Sequence, residues 1–164
     1  MMADTRDPAP EYVKNLENSF GGPSREGFGS AVFFETLAAS AGLEQAALRT
    51  YRLFVGELWE RWGEEALMGP WRETYARPNG FKPDIAAELR AIEDRSAASS
   101  VPMILEPSGG ADAARAALTA AFDDPSVTEL RVYIIGDGEA MSGLMVAGRR
   151  AATGDATFLV FLMD

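Results

Sequence analysis

The 164-residue chain contains neither cysteine nor histidine. Together these absences exclude disulfides, thiol nucleophiles, Cys/His zinc sites and serine–histidine triads. Lysine is nearly missing as well, occurring only as Lys14 and Lys82. Any catalysis would have to run on carboxylates, Arg, Tyr, Ser or those two lysines. A carboxylate-bound Mg²⁺ or Ca²⁺ is still allowed. No apolar run reaches the roughly 18 residues needed to span a bilayer. The segment MMADTRDPAP has no apolar stretch and carries acids, so it does not read as a secretory leader, and the expected location is the cytoplasm.

Positive charge is scarce too. Fifteen Lys and Arg face 25 Asp and Glu, a net charge of -10. The excess is spread along the chain, with -5 on residues 1–100 and -5 on residues 101–164. Such a field repels phosphate backbones and anionic lipid, so neither nucleic acid nor a membrane is an expected partner.

What is present suits a folded domain. The apolar fraction is 47%, and nine Phe and three Trp supply bulk for a core. Residues 1–10 read as a flexible tail. Tyr12, Leu16 and Phe20 share one face of a short helix, and GGPSREGFGS then reads as a loop. Ser30 is placed to cap a helix over 31–41 that stops at Gly42. Ala47, Tyr51, Phe54, Leu58 and Trp62 form an apolar stripe that predicts a helix over 43–66. Trp71 to Tyr75 reads as a turn or short helix. Asn79-Gly80 reads as a turn, and Pro83 as the first residue of a helix carrying Ile85, Leu89 and Ile92. RSAASS reads as a connector.

From Val101 the pattern changes. VPMILE reads as a strand over 101–106, followed by a helix over 111–122. Strands follow at 129–136, 142–149 and 157–163, with a turn at Gly136-Asp137-Gly138. A helix between the first two strands implies a parallel pair with a right-handed crossover. The expected fold is therefore α+β: an 11–98 helical part packed on a 101–164 part whose sheet is mixed, four-stranded and ordered β-α-β-β-β. The two parts are expected to share one core.

Three groups of residues are candidate sites. Ser108, Gly109 and Gly110 precede a helix, where backbone N–H groups and the helix dipole favour an anion. Neither a Walker loop nor a GxGxxG pattern is present, Asp112 would itself occupy the positive end, and an ordinary strand-to-helix turn is the better reading. Glu106 and Asp137, with Glu139 nearby, would lie at the carboxyl ends of the parallel pair and could hold Mg²⁺ against a phosphate. The plainer alternative makes them polar turn residues. Trp59, Trp62, Trp71 and Tyr75 could line a ligand pocket or a partner groove, although aromatics at helical spacing are more often core. Arg149 and Arg150 are adjacent in a strand and so point to opposite faces.

These observations favour a non-enzymatic protein of regulatory, adaptor or immunity type. It would work through contacts with another protein or with a second copy of itself, and would need no cofactor. Two alternatives are a Mg²⁺-assisted phosphate-handling enzyme at Glu106, Asp137 and Ser108, and a small-molecule binder with an apolar pocket between helices and sheet.

Overall fold

The C-terminal third alternates as a meander should. Strands β3 (Glu129–Gly136), β4 (Ser142–Arg150) and β5 (Asp155–Met163) pair antiparallel in sequence order. Along β3, Leu130, Val132 and Ile134 enter one core, while Tyr133 and Ile135 enter the other. A computed structural model describes residues 10–23, 29–68, 71–78, 80–106, 110–136 and 141–163. The expected tail over 1–9, the Asn79 turn position and the turn at 137–138 lie outside the described residues.

Two further strands flank the meander. Strand β1 (Gly29–Thr36) pairs antiparallel with β5, and β2 (Arg72–Ala76) pairs antiparallel with β3. The sheet is thus five-stranded, in the order β1-β5-β4-β3-β2. The α+β class stands, but the mixed four-stranded sheet with its α/β-like second half is corrected to one that is antiparallel throughout.

Each local correction has a physical reason. The segment 31–41 was expected to be helical, yet Ala31 to Thr36 belong to β1. The Ser30 hydroxyl donates to the Phe20 carbonyl at 2.7 Å instead of capping a helix. In β1, Ala31 and Phe33 face one core and Val32 the other. That alternation suits Val-Phe-Phe, a run of strand formers. The segment 101–106 was expected to be a strand and is helix α6 (Val101–Leu105). Val101, Ile104 and Leu105 are buried, at helical spacing, while Met103 is 48% exposed. Pro102 sits in the first turn, where its missing N–H costs nothing. No parallel crossover forms. Trp71 leads into β2 rather than a short helix, and a bulge separates Glu73 from Tyr75.

Helix α1 (Glu11–Phe20) and helix α7 (Ala111–Phe122) form where the spacing predicts them. Helix α4 (Ile85–Arg90) begins two positions later than expected. The Asp84 carboxylate accepts the Ala87 N–H at 3.1 Å, so Asp84 is the cap. The connector RSAASS holds a single turn, α5 (Arg95–Ala98). The long helix expected over 43–66 is two helices, α2 (Leu43–Val55) and α3 (Glu57–Met68), the second interrupted at Gly63. Gly56 ends α2 with φ 51° and ψ -120°, a conformation open to glycine and strained for other residues.

Helices cover both faces of the sheet. Val13, Leu16, Ile85, Leu89, Ile104, Leu118 and Phe122 pack on one face. Gly148 has no side chain there, and a Cβ would stand 2.9 Å from the Phe122 ring. Tyr51, Phe54, Val55 and Leu67 pack on the other face against Phe158, Val160 and Met145. Each large, fully buried side chain such as Phe54 or Phe158 stabilises the fold by about 1.5–3 kcal/mol.

Trp71 fills this second layer between two tyrosines. Its ring stacks 5.7 Å from Tyr51 and 4.8 Å from Tyr133. The two phenols differ. The Tyr51 hydroxyl donates to the Leu67 carbonyl at 2.7 Å and accepts the Gly136 N–H at 3.2 Å, tying α3 to the end of β3. The buried Tyr133 hydroxyl has no partner among the described residues. Tyr51→Phe is therefore expected to cost about 1–3 kcal/mol, because it strands a buried amide and carbonyl, whereas Tyr133→Phe is neutral or stabilising. Urea unfolding of both variants checks the contrast, and equal losses would contradict it.

Candidate functional site

The sequence candidates do not converge. Gly110 precedes α7, and its carbonyl accepts the Ala114 N–H at 3.0 Å. Asp112 occupies the first turn and pairs with Arg115 at 2.8 Å, so the helix start already carries a carboxylate. Ser108 and Gly109 lie outside the described residues. Glu106 is an exposed residue closing α6, and its N–H bonds the Pro102 carbonyl. With α6 in place of a strand, the parallel pair that would have set Glu106 beside Asp137 does not exist. Asp137 and Glu139 lie outside the described residues. Among the described residues, no group of three carboxylates is close enough to hold a metal ion.

Arg149 and Arg150 do point to opposite faces. The Arg149 guanidinium donates to the Ala41 and Ala38 carbonyls at 2.6 and 2.7 Å, pinning the turn between β1 and α2. Arg150 lies over the Tyr12 ring at 3.9 Å. Arg149 also lines an open cavity of about 400 Å³ at the sheet corner, together with Glu129, Arg131 and Thr128. Of its other two cations, Arg131 is held by Glu73 at 2.6 Å and Glu129 at 2.7 Å, and Arg77 by Glu88 at 2.6 Å. All three guanidinium groups at this corner bond to the protein itself, although the buried Arg149 Nε has no partner among the described residues.

A buried ionic cluster went unnoticed in the sequence. Arg77, just past β2, donates to both Glu88 oxygens at 2.6 and 2.8 Å and to the Phe122 carbonyl at 2.9 Å. It also meets Asp123 at 3.3 Å. Glu88 accepts the Tyr75 hydroxyl at 2.5 Å and the Asp84 N–H at 3.0 Å, and Asp123 accepts the Ile85 N–H at 2.8 Å. Only 7% of the Arg77 side chain and 2% of Glu88 reach solvent. One signal pointed here: Glu88 sits among Ile85, Leu89 and Ile92, a charge on the apolar stripe of its own segment. Its partners come from distant segments and leave no local trace.

Burial alone would raise the Glu88 carboxyl, but hydrogen bonds from Arg77, Tyr75 and the Asp84 amide outweigh it and hold the group below its ordinary value. Asp123 goes the other way: burial raises it, and Ile85 and Arg77 offset that only in part. Burial, then the bond to Glu88, raises the Tyr75 phenol. Every strong bond of this cluster goes to another member or to the backbone. It joins β2, α4 and the end of α7, and Arg77 also forms part of the wall of the open cavity beside Arg131 and Arg149.

The predicted aromatics lie elsewhere. The apolar stripe runs into the break at Gly56, so Trp59 is half-buried and Trp62 is 41% exposed. At this elbow between α2 and α3 a cleft of about 220 Å³ is lined by Arg52, Gly56, Glu57, Trp59 and Glu60. The Arg52 guanidinium rests 4.7 Å above the centre of the Trp59 ring. Glu57 and Glu60 are exposed beside it and form no ion pair among the described residues. Leu53, on α2, is 43% exposed. Trp71, by contrast, bonds Glu44 through its indole N–H at 3.1 Å while its ring is stacked in the core, and Tyr75 serves the ionic cluster.

No family model, curated protein or solved structure matches the chain.

Arg77→Met leaves Glu88 buried without its cation and is expected to cost about 3–5 kcal/mol. Arg77→Met with Glu88→Leu removes both charges and should lose less than the two single losses added together. Denaturant titration of the double-mutant cycle reads this directly, and strict additivity would refute the coupling.

The acid limb has a defined sign. Glu88 ionises more readily in the folded state, so its stabilisation is complete above the unfolded value of about 4.3 and is lost as pH falls through its lower folded value. Asp123, raised on folding, offsets part of that loss. Melting temperature should therefore fall less steeply on acidification in Glu88→Gln than in the wild type, and more steeply in Asp123→Asn. Parallel profiles for all three would contradict these assignments.

Proposed function

We propose that this protein works by contact with another protein, in a regulatory, adaptor or immunity-type role, and not by catalysing a reaction. The observation behind this reading is where large apolar side chains meet solvent. Of the four exposed large hydrophobics among the described residues, Leu53, Trp62, Phe81 and Met103, two belong to the α2–α3 pair. The same helix pair holds a cleft with Trp59 in its wall. Single exposed apolar residues are ordinary, but a group on one pair of helices is the usual mark of a surface that another macromolecule covers. The interior charges support the same reading. Arg77, Glu88 and Asp123 are bonded to one another, and Arg131 and Arg149 to neighbouring carboxylates and carbonyls. They are arranged to hold elements together.

The reading is tested at native expression level. In lysate of its own host, gently cross-linked, the chain is expected to elute well above its 17.6 kDa monomer mass, with a second protein in fixed ratio. The purified chain alone separates the two forms of assembly, since a homodimer keeps its larger mass and a hetero-complex loses it. Elution as a monomer under both conditions would overturn the proposal.

A further inference from the structure

We infer that the cleft at the α2–α3 elbow receives an arginine or lysine side chain from a basic protein partner, and that Arg52 of the chain itself occupies the place of that side chain in the free protein. The inference names the partner chemistry for the protein-contact reading above and rests on it. Three observations carry it. First, the face of Trp59 holds a guanidinium at 4.7 Å, within the distance at which an aromatic face attracts a cation. Second, Glu57 and Glu60 line the same cleft, without an ion pair among the described residues. An aromatic face beside two carboxylates suits a cation and repels an anion. Third, the free volume beside Arg52 is about 220 Å³, smaller than a typical small-molecule site.

The surroundings fit a protein rather than a free cation. Trp62 lies three residues beyond Trp59 on the same helix, and Leu53 lies one residue beyond Arg52. Both are well exposed, so the two helices that form the cleft also carry apolar surface. The chain as a whole carries -10, so a basic partner is drawn in over long range and then fixed at the cleft. Arg52 makes the site self-covering. A partner side chain must displace it, and Arg52, which has no ion pair among the described residues, then faces solvent.

That displacement makes the test specific. The probe is a short end-blocked peptide of alternating Arg and Leu, with the Glu and Leu counterpart as control, followed by calorimetry and tryptophan emission. The basic peptide is expected to bind with salt-dependent affinity and the acidic one not at all. Arg52→Ala is expected to tighten binding about threefold, because the competing cation is gone. Trp59→Leu should weaken it, Trp59→Phe should restore part, and Glu57→Gln with Glu60→Gln should weaken it about tenfold. Glu11→Gln with Glu93→Gln removes equal charge elsewhere and should have little effect.

Arg52→Ala without effect, or with weaker binding, would overturn the inference. So would equal losses from the two pairs of Glu→Gln changes, which would mean diffuse attraction to net charge. Should Trp59→Leu unfold the protein, the exposed Arg52 variant still decides. A hetero-complex in the host that survives all these substitutions would remove this inference and leave the protein-contact reading standing. A chain that is monomeric in its host would overturn both, even if the peptide bound.

Discussion

Strands β4 and β5 carry apolar side chains on both faces, and neither face can be left to water. Val146 and Leu159 point one way, Met145 and Val160 the other, and all four are fully buried. Everything else follows from covering two faces at once. The chain supplies α1 and the helices between β2 and β3 for one face, and α2 with α3 for the other. A single layer of helices would expose half of the core, at roughly 25 cal/mol for each Å² of apolar surface.

Building two helical layers from short helices creates a second problem. Helices α4, α5 and α6 are each six residues or fewer, too short to be stable alone. The Arg77 cluster addresses this. One guanidinium reaches Glu88 on α4, the last carbonyl of α7 and the Asp123 cap, while its own backbone follows an edge strand. Such a cluster adds little net stability over a well-packed apolar equivalent. Its contribution is geometric, since only one placement of α4 against α7 satisfies every bond. The second layer has no such anchor at its outer end. There the Tyr51 hydroxyl holds Leu67, while the elbow at Gly56 and the interruption at Gly63 leave Trp62 outside.

What the sequence disclosed depended on how local the cause was. The meander β3-β4-β5 and helix α7 were legible, because alternation, turns and an apolar stripe are written within each segment. Strand β1 was not, because its pairing partner β5 lies far along the chain and its short apolar run suits either state. Val101, Ile104 and Leu105 read as strand in the sequence because six residues are too few to tell alternation from helical spacing. That single misreading produced the parallel pair, and with it the expected juxtaposition of Glu106 and Asp137. The stripe from Ala47 to Trp62 runs across Gly56 without a gap, so periodicity alone could not show where the helix ends. Trp59 and Trp62 were singled out as a class, yet the features that give Trp59 a chemistry, Arg52 above it and two carboxylates beside it, depend on the turn at Gly56.

The pairing of β1 with β5 has a consequence for how the molecule assembles. Gly29 lies opposite Leu162 and Thr36 opposite Asp155, so this edge of the sheet closes a loop that spans most of the chain. Loop-closure entropy makes such a contact late, after the local hairpins β3-β4 and β4-β5 have formed. Until it closes, β5 is itself an edge, with Phe158, Val160 and Leu162 on one face and unpaired backbone along its length. Wherever β1 is detached, β5 presents an open, apolar strand, the form most prone to pair with a neighbouring copy. The N-terminal strand that covers it acts as the latch of the fold, and the speed at which it closes sets how long each newly made molecule is at risk of aggregation.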